Sequence, residues 1–223
     1  MLAKTLIIGL GQFGMELAKS LARQGFFVLA VDRNPDLVQA VSKEVNRALE
    51  LDATNENALL EIGAEQVETA ICAIGEKYLE ASIMTTALLK KIGIPQIIAR
   101  ATTPLHSRIL KQVGALETIN PEEEMGKRLA QKLARPGLIE MIPLSEDIVV
   151  SEIHCPTQFH NRSLKDLKLR TAYNITVISI NRSTAGSQVK VMVNPEPDTI
   201  LQQDDLLLVV GNASSVDKLS QLH

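Results

Sequence analysis

Residues 7–18 read IIGLGQFGMELA, and the glycines at Gly9, Gly11 and Gly14 decide how the first half of the chain is read. An apolar run precedes the G-x-G-x-x-G spacing and a helix-like alternation follows it, which is the order strand, tight turn, helix. The first glycine permits a sharp turn out of the strand. The second lets backbone approach a pyrophosphate, and the third lets the helix pack on the sheet. A phosphate held there, beside Gln12 and Phe13, faces the positive end of a helix beginning near Phe13. Asp32 closes the next apolar run, 23 positions after Gly9, where a carboxylate accepts hydrogen bonds from ribose hydroxyls and disfavours a 2′-phosphate.

Outward from this turn, apolar runs at 4–11, 26–32, 47–52, 69–75, 96–101 and 116–120 alternate with helical patterns at 14–23, 35–44, 56–62, 78–91, 104–113 and 122–134. Strands alternating with helices predict an α/β fold, a doubly wound parallel sheet of Rossmann type. Pro35, Pro104 and Pro121 suit first helical turns. The segment ARPG (134–137) breaks the last helix. Shorter strand-like pieces follow (IVVSEIHC, ITVISINR, QVKVMV, DDLLLVVGN), with helical SLKDLKLR and SSVDKLSQL between and after them. The expected division is a nucleotide-binding domain over 1–137 and a small α+β domain over 138–223.

Ligands of open α/β sheets gather at the carboxyl ends of the strands. That rule selects Asp52, Ala53 and Thr54 after the third strand, Ala73, Ile74 and Gly75 after the fourth, and Arg100 at the end of the fifth. Thr54 and Asn55 equally suit a helix N-cap. Arg33, next to Asp32, is read as a solvated or adenine-stacking arginine. Arg100 is read as facing either a terminal phosphate or a surface carboxylate.

Several function classes are disfavoured. A net charge of -3 and 3% aromatic residues without tryptophan give no electrostatic or stacking basis for binding nucleic acid. Apolar runs are too short to span a membrane, and the start shows no secretory signal, so a cytoplasmic protein is expected. Cys72 and Cys155 lack ligand spacing and read as core residues. His106, His154, His160 and His223 form no recognisable pair, and neither Tyr78 nor Tyr173 has a lysine four residues on. A dehydrogenase needs a proton donor beside its nicotinamide, so a sensor is favoured over an enzyme, with a small NAD(H)-dependent oxidoreductase as the alternative.

The glycine turn with its strand and helix, LDATNENALLEIGAEQVETAICAIGE, ASIMTTALLKKIGIPQIIARA, ILKQVGALETINPEEEMGKRLAQKL and NPEPDTILQQDDLLLVVGN together resemble the RCK-domain regulatory subunits of Ktr/Trk-type potassium uptake systems. The P-E-x-x-M-G segment and the TIL-x-x-x-D-x-L-x-V-x-G ending are the specific elements. The resemblance implies a Rossmann lobe that binds ATP or ADP, with NAD(H) as the alternative, and a TrkA_C-like second lobe. It further implies homodimers assembled into an octameric ring under a membrane-embedded potassium translocating subunit. Where ATP-responsive Ktr subunits carry arginine inside the glycine turn this chain has Gln12, so any ATP/ADP discrimination shifts toward Arg100 or a neighbouring subunit.

Glu122 matches an acidic residue that in the family lies near the nucleotide at the dimer interface, where it helps bind a cation such as Ca²⁺ or Mg²⁺. Met125, Leu129 and Leu133 form an i, i+4, i+8 stripe, read as core or as contact with a partner subunit. Leu164, Arg170 and Pro195 match the segment that in some relatives contacts cyclic di-AMP. A short helix capped at Asn161 or Ser163 explains the leucines equally well.

Overall fold

The apolar runs of the first half pair as six parallel strands: β1 (Lys4–Ile8), β2 (Phe27–Asp32), β3 (Arg47–Glu50), β4 (Thr69–Cys72), β5 (Gln96–Arg100) and β6 (Glu117–Ile119), in the order β3-β2-β1-β4-β5-β6. The order reverses at β1, so a crevice opens between the carboxyl ends of β1 and β4. This computed structural model describes residues 4–134, 137–184 and 188–222. Arg135 and Pro136, where the sequence predicts a helix break, and His223 lie outside the described residues. The chain divides into two units, Met1–Glu124 and Met125–His223.

Side chains alternate across a strand, and here both faces are apolar. Leu6, Ile8, Leu29, Val31, Ala70 and Cys72 enter one core together with Leu59, Leu89 and Leu110. The intervening Ile7, Val28, Ala30, Ile71 and Ala73 enter another together with Ala18 and Val41. The helices on the two faces are therefore α1 (Gln12–Arg23) and α2 (Pro35–Val41) on one, and α3 (Glu56–Glu61), α4 (Leu79–Ile92) and α5 (Pro104–Val113) on the other. Prolines open α2 and α5 as expected, and the residue before each proline is the cap. Asn34 Oδ1 accepts from Asp36 N at 2.9 Å, and Thr103 Oγ1 accepts from His106 N at 3.1 Å.

Several boundaries differ from the sequence reading. β1 stops at Ile8 rather than running to residue 11, because Gly9 adopts φ +94, a conformation incompatible with a strand. β3 and β4 likewise end at Glu50 and Cys72, and the residues beyond them form loops at the carboxyl edge. α4 begins at Leu79, one residue after the expected start at 78, because Tyr78 closes a separate 3₁₀ turn over Glu76–Tyr78. The last helix of the series, α6 (Pro121–Ala134), has no buried residue in this chain.

The second unit is a five-stranded antiparallel sheet in the order β10-β9-β11-β8-β7, formed by β7 (Leu138–Pro143), β8 (Ile148–His154), β9 (Ile175–Thr184), β10 (Gln188–Val193) and β11 (Leu206–Asn212). β7 escapes the sequence reading. Only Leu138 along it is buried, so its apolar pattern is weak. Helical SLKDLKLR is two short helices, α7 (Leu164–Leu167) and α8 (Leu169–Ala172), broken at Lys168 with φ +47. Ser163, not Asn161, caps α7, its Oγ accepting from Asp166 N at 3.1 Å. α9 (Ala213–Ser220) packs Val216 and Leu219 into the core beneath the sheet. Both cysteines are buried, as their spacing suggests.

Candidate functional site

The glycine turn shows three different reasons for glycine. At Gly9 the positive φ excludes other residues, and a Cβ there would also press on the Ala73 carbonyl at 3.0–3.1 Å. At Gly14 a Cβ would lie 1.9 Å from the Gly9 carbonyl oxygen, so only glycine lets α1 sit this close to the turn. Gly11 differs: its φ of -63 suits any residue, and a Cβ would meet nothing within 4 Å. No described residue fills the space above Gly11, so the glycine keeps it clear at the N-terminus of α1, where unpaired amides favour an anion.

This space belongs to a cleft of about 560 Å³ at the carboxyl edge of the sheet. Gly9, Gly11, Asp32, Arg33, Asp52, Ala53, Thr54, Ile74 and Gly75, all selected from sequence, line it. Four others do not. Gln12 is exposed at the start of α1 and Phe13 packs against the α1-side core, while Gly14 and Ala73 support the turn from behind. Arg100 is likewise outside the lining, although its Nη1 lies 3.6 Å from where a Cβ on Gly75 would be.

The acidic groups are ordered by local backbone. Asp32 Oδ2 accepts from Leu10 N at 2.6 Å and Oδ1 from Asn34 N at 2.8 Å, which ties β2 to the glycine turn and fixes the carboxylate. Asp52 accepts from Thr54 N at 3.0 Å and Thr54 Oγ1 at 2.7 Å. Those two bonds, backbone first, hold its carboxyl below the usual carboxylate range, with help from the charge of Arg33. Of the two candidate caps for α3, Asn55 takes the role, receiving Asn57 N and Ala58 N, while Thr54 is committed to Asp52.

Arg100 forms an ion pair with Glu122 at the start of α6, and its Nε is buried without a hydrogen-bond partner among the described residues. The described residues contain no group of three or more His, Cys, Asp or Glu side chains arranged to hold a metal. Glu122 by itself therefore offers only a carboxylate already shared with an arginine.

Sequence reasoning missed the lining residues Asn34, Leu37, Lys77, Tyr78, Ala81 and Thr85. Asn34 was signalled by its position before Pro35. Tyr78 is the first residue of the expected helix at 78–91, and Lys77 lies just before it. Thr85 lies on α4, fully buried, and its hydroxyl has no partner among the described residues. In the second unit the missed pair is Arg182 and Asp205, a bidentate ion pair with both contacts at 2.7 Å; Asp205 is the aspartate of the D-x-L-x-V-x-G ending. Leu164 N donates to Thr199 O at 3.1 Å and Lys165 N to Pro197 O at 2.8 Å, which brings Leu164 beside the turn that begins near Pro195. Arg170 is exposed on α8.

Residues 5–121 match the TrkA-N domain and residues 149–223 match the TrkA-C domain. The chain is 34% identical over 212 residues to Ktr system potassium uptake protein A of Bacillus subtilis, covering 95% of this chain and 93% of that protein. It is 31% identical over 215 residues to the Ktr system potassium uptake protein C of the same organism, covering 96% and 95%. Among solved structures, the GsuK RCK domain superposes with a TM-score of 0.65 at 16% identity, over all of this chain and 48% of its own. The GsuK channel bound to NAD superposes with a TM-score of 0.62 at 16% identity, over all of this chain and 39% of its own. This chain thus spans about half or less of those solved chains. Among the described residues no helix is long and apolar enough to cross a membrane. The chain belongs to the family of paired TrkA-N and TrkA-C domains, which it shares with the Ktr potassium uptake proteins.

Proposed function

We propose that this chain is a cytoplasmic, nucleotide-sensing subunit that gates a membrane-embedded potassium translocating partner. The observation that carries the nucleotide reading is the open space above Gly11, bordered by the fixed carboxylate of Asp32 in one continuous cleft. The cleft suits an adenosine phosphate, with ribose at Asp32 and pyrophosphate over the α1 amides. ATP and ADP are the ligands favoured, with NAD(H) as the alternative, since the similar GsuK channel has been solved bound to NAD. The potassium assignment follows from the Ktr relatives, which match over nearly their whole length.

A ligand changes the shape of a ring only through different affinities for its shapes. Arg100 provides a means. Its ion pair with Glu122 links the end of β5 to the start of α6, and a terminal phosphate near Gly75 would compete for that guanidinium. Release of Glu122 would free a carboxylate for Ca²⁺ or Mg²⁺ together with a second copy of the chain. The stripe on α6 supplies the surface for that copy: Met125, Leu129 and Leu133 are 61%, 53% and 73% exposed, so they are not core residues of the single chain. Dimers of this kind would build the octameric ring. In the second unit, cyclic di-AMP would use Leu164, Arg170 and the turn at Pro195.

Thermal unfolding with ATP, ADP, NADH and cyclic di-AMP, with and without Ca²⁺, tests the reading. A rise in unfolding temperature with at least one adenine nucleotide is expected, together with nucleotide-dependent potassium flux when the chain is added to vesicles bearing the translocator. No shift with any of them, or turnover of NADH with a carbonyl substrate, would overturn it.

A further inference from the structure

The antiparallel sheet of the second unit has two edges, and they differ. β7, at one edge, carries Glu140, Pro143 and a register shift between Leu138 and Glu140, and Arg128 of α6 pairs with Glu140. Charge, proline and a bulge are the features that stop a strand edge from pairing again. β10, at the other edge, has only the charge of Lys190. It runs beside β9 in unbroken register from Gln188 to Val193, and no described strand pairs with its outer side.

One bond fixes which way the backbone groups of β10 turn. Asn194 N, just beyond the strand, donates to Ile178 O at 2.8 Å, so residues 192 and 190 also turn theirs toward β9. Val189, Val191 and Val193 therefore turn their amides and carbonyls outward. Their side chains share one face of the sheet, and each is more than half exposed. An apolar edge with open backbone groups is a template for another strand.

We propose that β10 pairs with β10 of a second copy of this chain, antiparallel about a two-fold axis at Val191. The side chains select the register. With Val191 opposite its own equivalent, Val189 faces Val193 of the second copy, and each such pair exchanges both hydrogen bonds through the outward groups. Lys190 then faces Met192. Sliding by one pair in one direction sets Lys190 against Lys190, and like charges directly opposite are destabilising. Sliding the other way sets Val189 against Pro195, which has no amide to donate.

Cysteine cross-linking reads this register. Across a hydrogen-bonded antiparallel pair the α-carbons lie about 5.5 Å apart, within disulfide reach. Val191→Cys is expected to give a covalent dimer under a mild thiol oxidant, while Val189→Cys alone, about 14 Å from its equivalent, gives none. A mixture of Val189→Cys and Val193→Cys chains should cross-link. The native Cys72 and Cys155 are buried, and the unaltered protein is the control. Val191→Pro removes an outward amide and leaves the ladder to β9 intact, so the far-UV spectrum should not change. In a Leu129→Glu background, which takes away the apolar stripe on α6, the chain should sediment as a dimer. Adding Val191→Thr, which keeps the amide, should preserve that dimer, and adding Val191→Pro should give a monomer. A monomeric Leu129→Glu chain, a dimer that survives Val191→Pro, or cross-linking of Val189→Cys as readily as Val191→Cys would overturn the pairing. The cross-links decide the matter even where Val191→Pro perturbs the fold, and no outcome depends on a nucleotide.

Discussion

The carbonyl oxygen of Gly9 occupies the place that a β-carbon on Gly14 would need, the two being 1.9 Å apart. Gly11, between them, faces open space. The two glycines therefore separate structure from binding. Gly14→Ala must push α1 off the turn and is expected to destabilise the protein by about 1–3 kcal/mol in urea denaturation. Gly11→Ala should change stability by no more than about 0.5 kcal/mol and instead weaken ADP binding in calorimetry, because its methyl enters the phosphate space. Equal effects of both on stability would show that the space above Gly11 is not reserved for a ligand.

Asp205 holds the second unit together. Its side chain is fully buried and accepts from Arg182 Nε and Nη2 at 2.7 Å each and from Gln202 N at 2.8 Å. Arg182 Nη2 also donates to Ile200 O at 2.9 Å, so the pair clips the 200–205 turn to β9. Asp205→Ala leaves the guanidinium and one backbone amide without their acceptor and is expected to cost about 3–5 kcal/mol. Replacing both partners by apolar residues, Asp205→Leu with Arg182→Met, should recover part of that loss, and denaturation curves of the three variants measure it.

Much of this architecture was legible because it is periodic or positional. Strands such as FVLAVD are buried on both faces and read as continuous apolar runs, and the cap residues before Pro35 and Pro104 stand where a helix start demands them. The cleft-lining residues that the sequence selects are those whose address is topological, at the ends of β1 to β4. What stayed hidden depends on side-chain partners that spacing does not encode. Arg182 and Asp205 are 23 residues apart and pair only through neighbouring strands of the second sheet. Tyr78 needed the break between the 3₁₀ turn and α4, and β7 has too few buried positions to give an apolar rhythm. Gln12 and Phe13, selected for their position inside the turn, open α1, where Gln12 is exposed and Phe13 packs against the α1-side core.

The Cys155 thiol links stability to pH. Burial, reinforced by the neighbouring charge of Asp205, raises it from 9.0 to about 12. The unfolded chain loses this proton above pH 9 while the folded protein keeps it, so the fold binds more protons and stability falls as pH rises from 9 toward 12. The slope from this one group approaches about 1.4 kcal/mol per pH unit. Cys155→Ala removes the titration. Its stability should decline less steeply than that of the unaltered protein between pH 8 and pH 10.5 in matched denaturation series; parallel declines would mean that the thiol is ionised in the fold.

The stripe on α6 gives the assembly prediction. A helix of 14 residues with no fully buried side chain among the described residues gains little from packing, and short isolated helices are marginal in water. Three large apolar side chains on one of its faces, at positions 125, 129 and 133, are explained if that face meets its equivalent in a second copy about a two-fold axis, where each residue is used twice. Leu129→Glu places two carboxylates in the centre of such an interface. The unaltered protein is therefore expected to sediment as a dimer or a larger even-numbered assembly, and Leu129→Glu as a smaller species with an unchanged far-UV spectrum. Met125→Glu should act in the same direction, whereas Lys132→Glu on the same helix should leave the mass unaltered. A monomeric parent protein, or an assembly indifferent to both apolar substitutions, would assign the stripe no role in pairing.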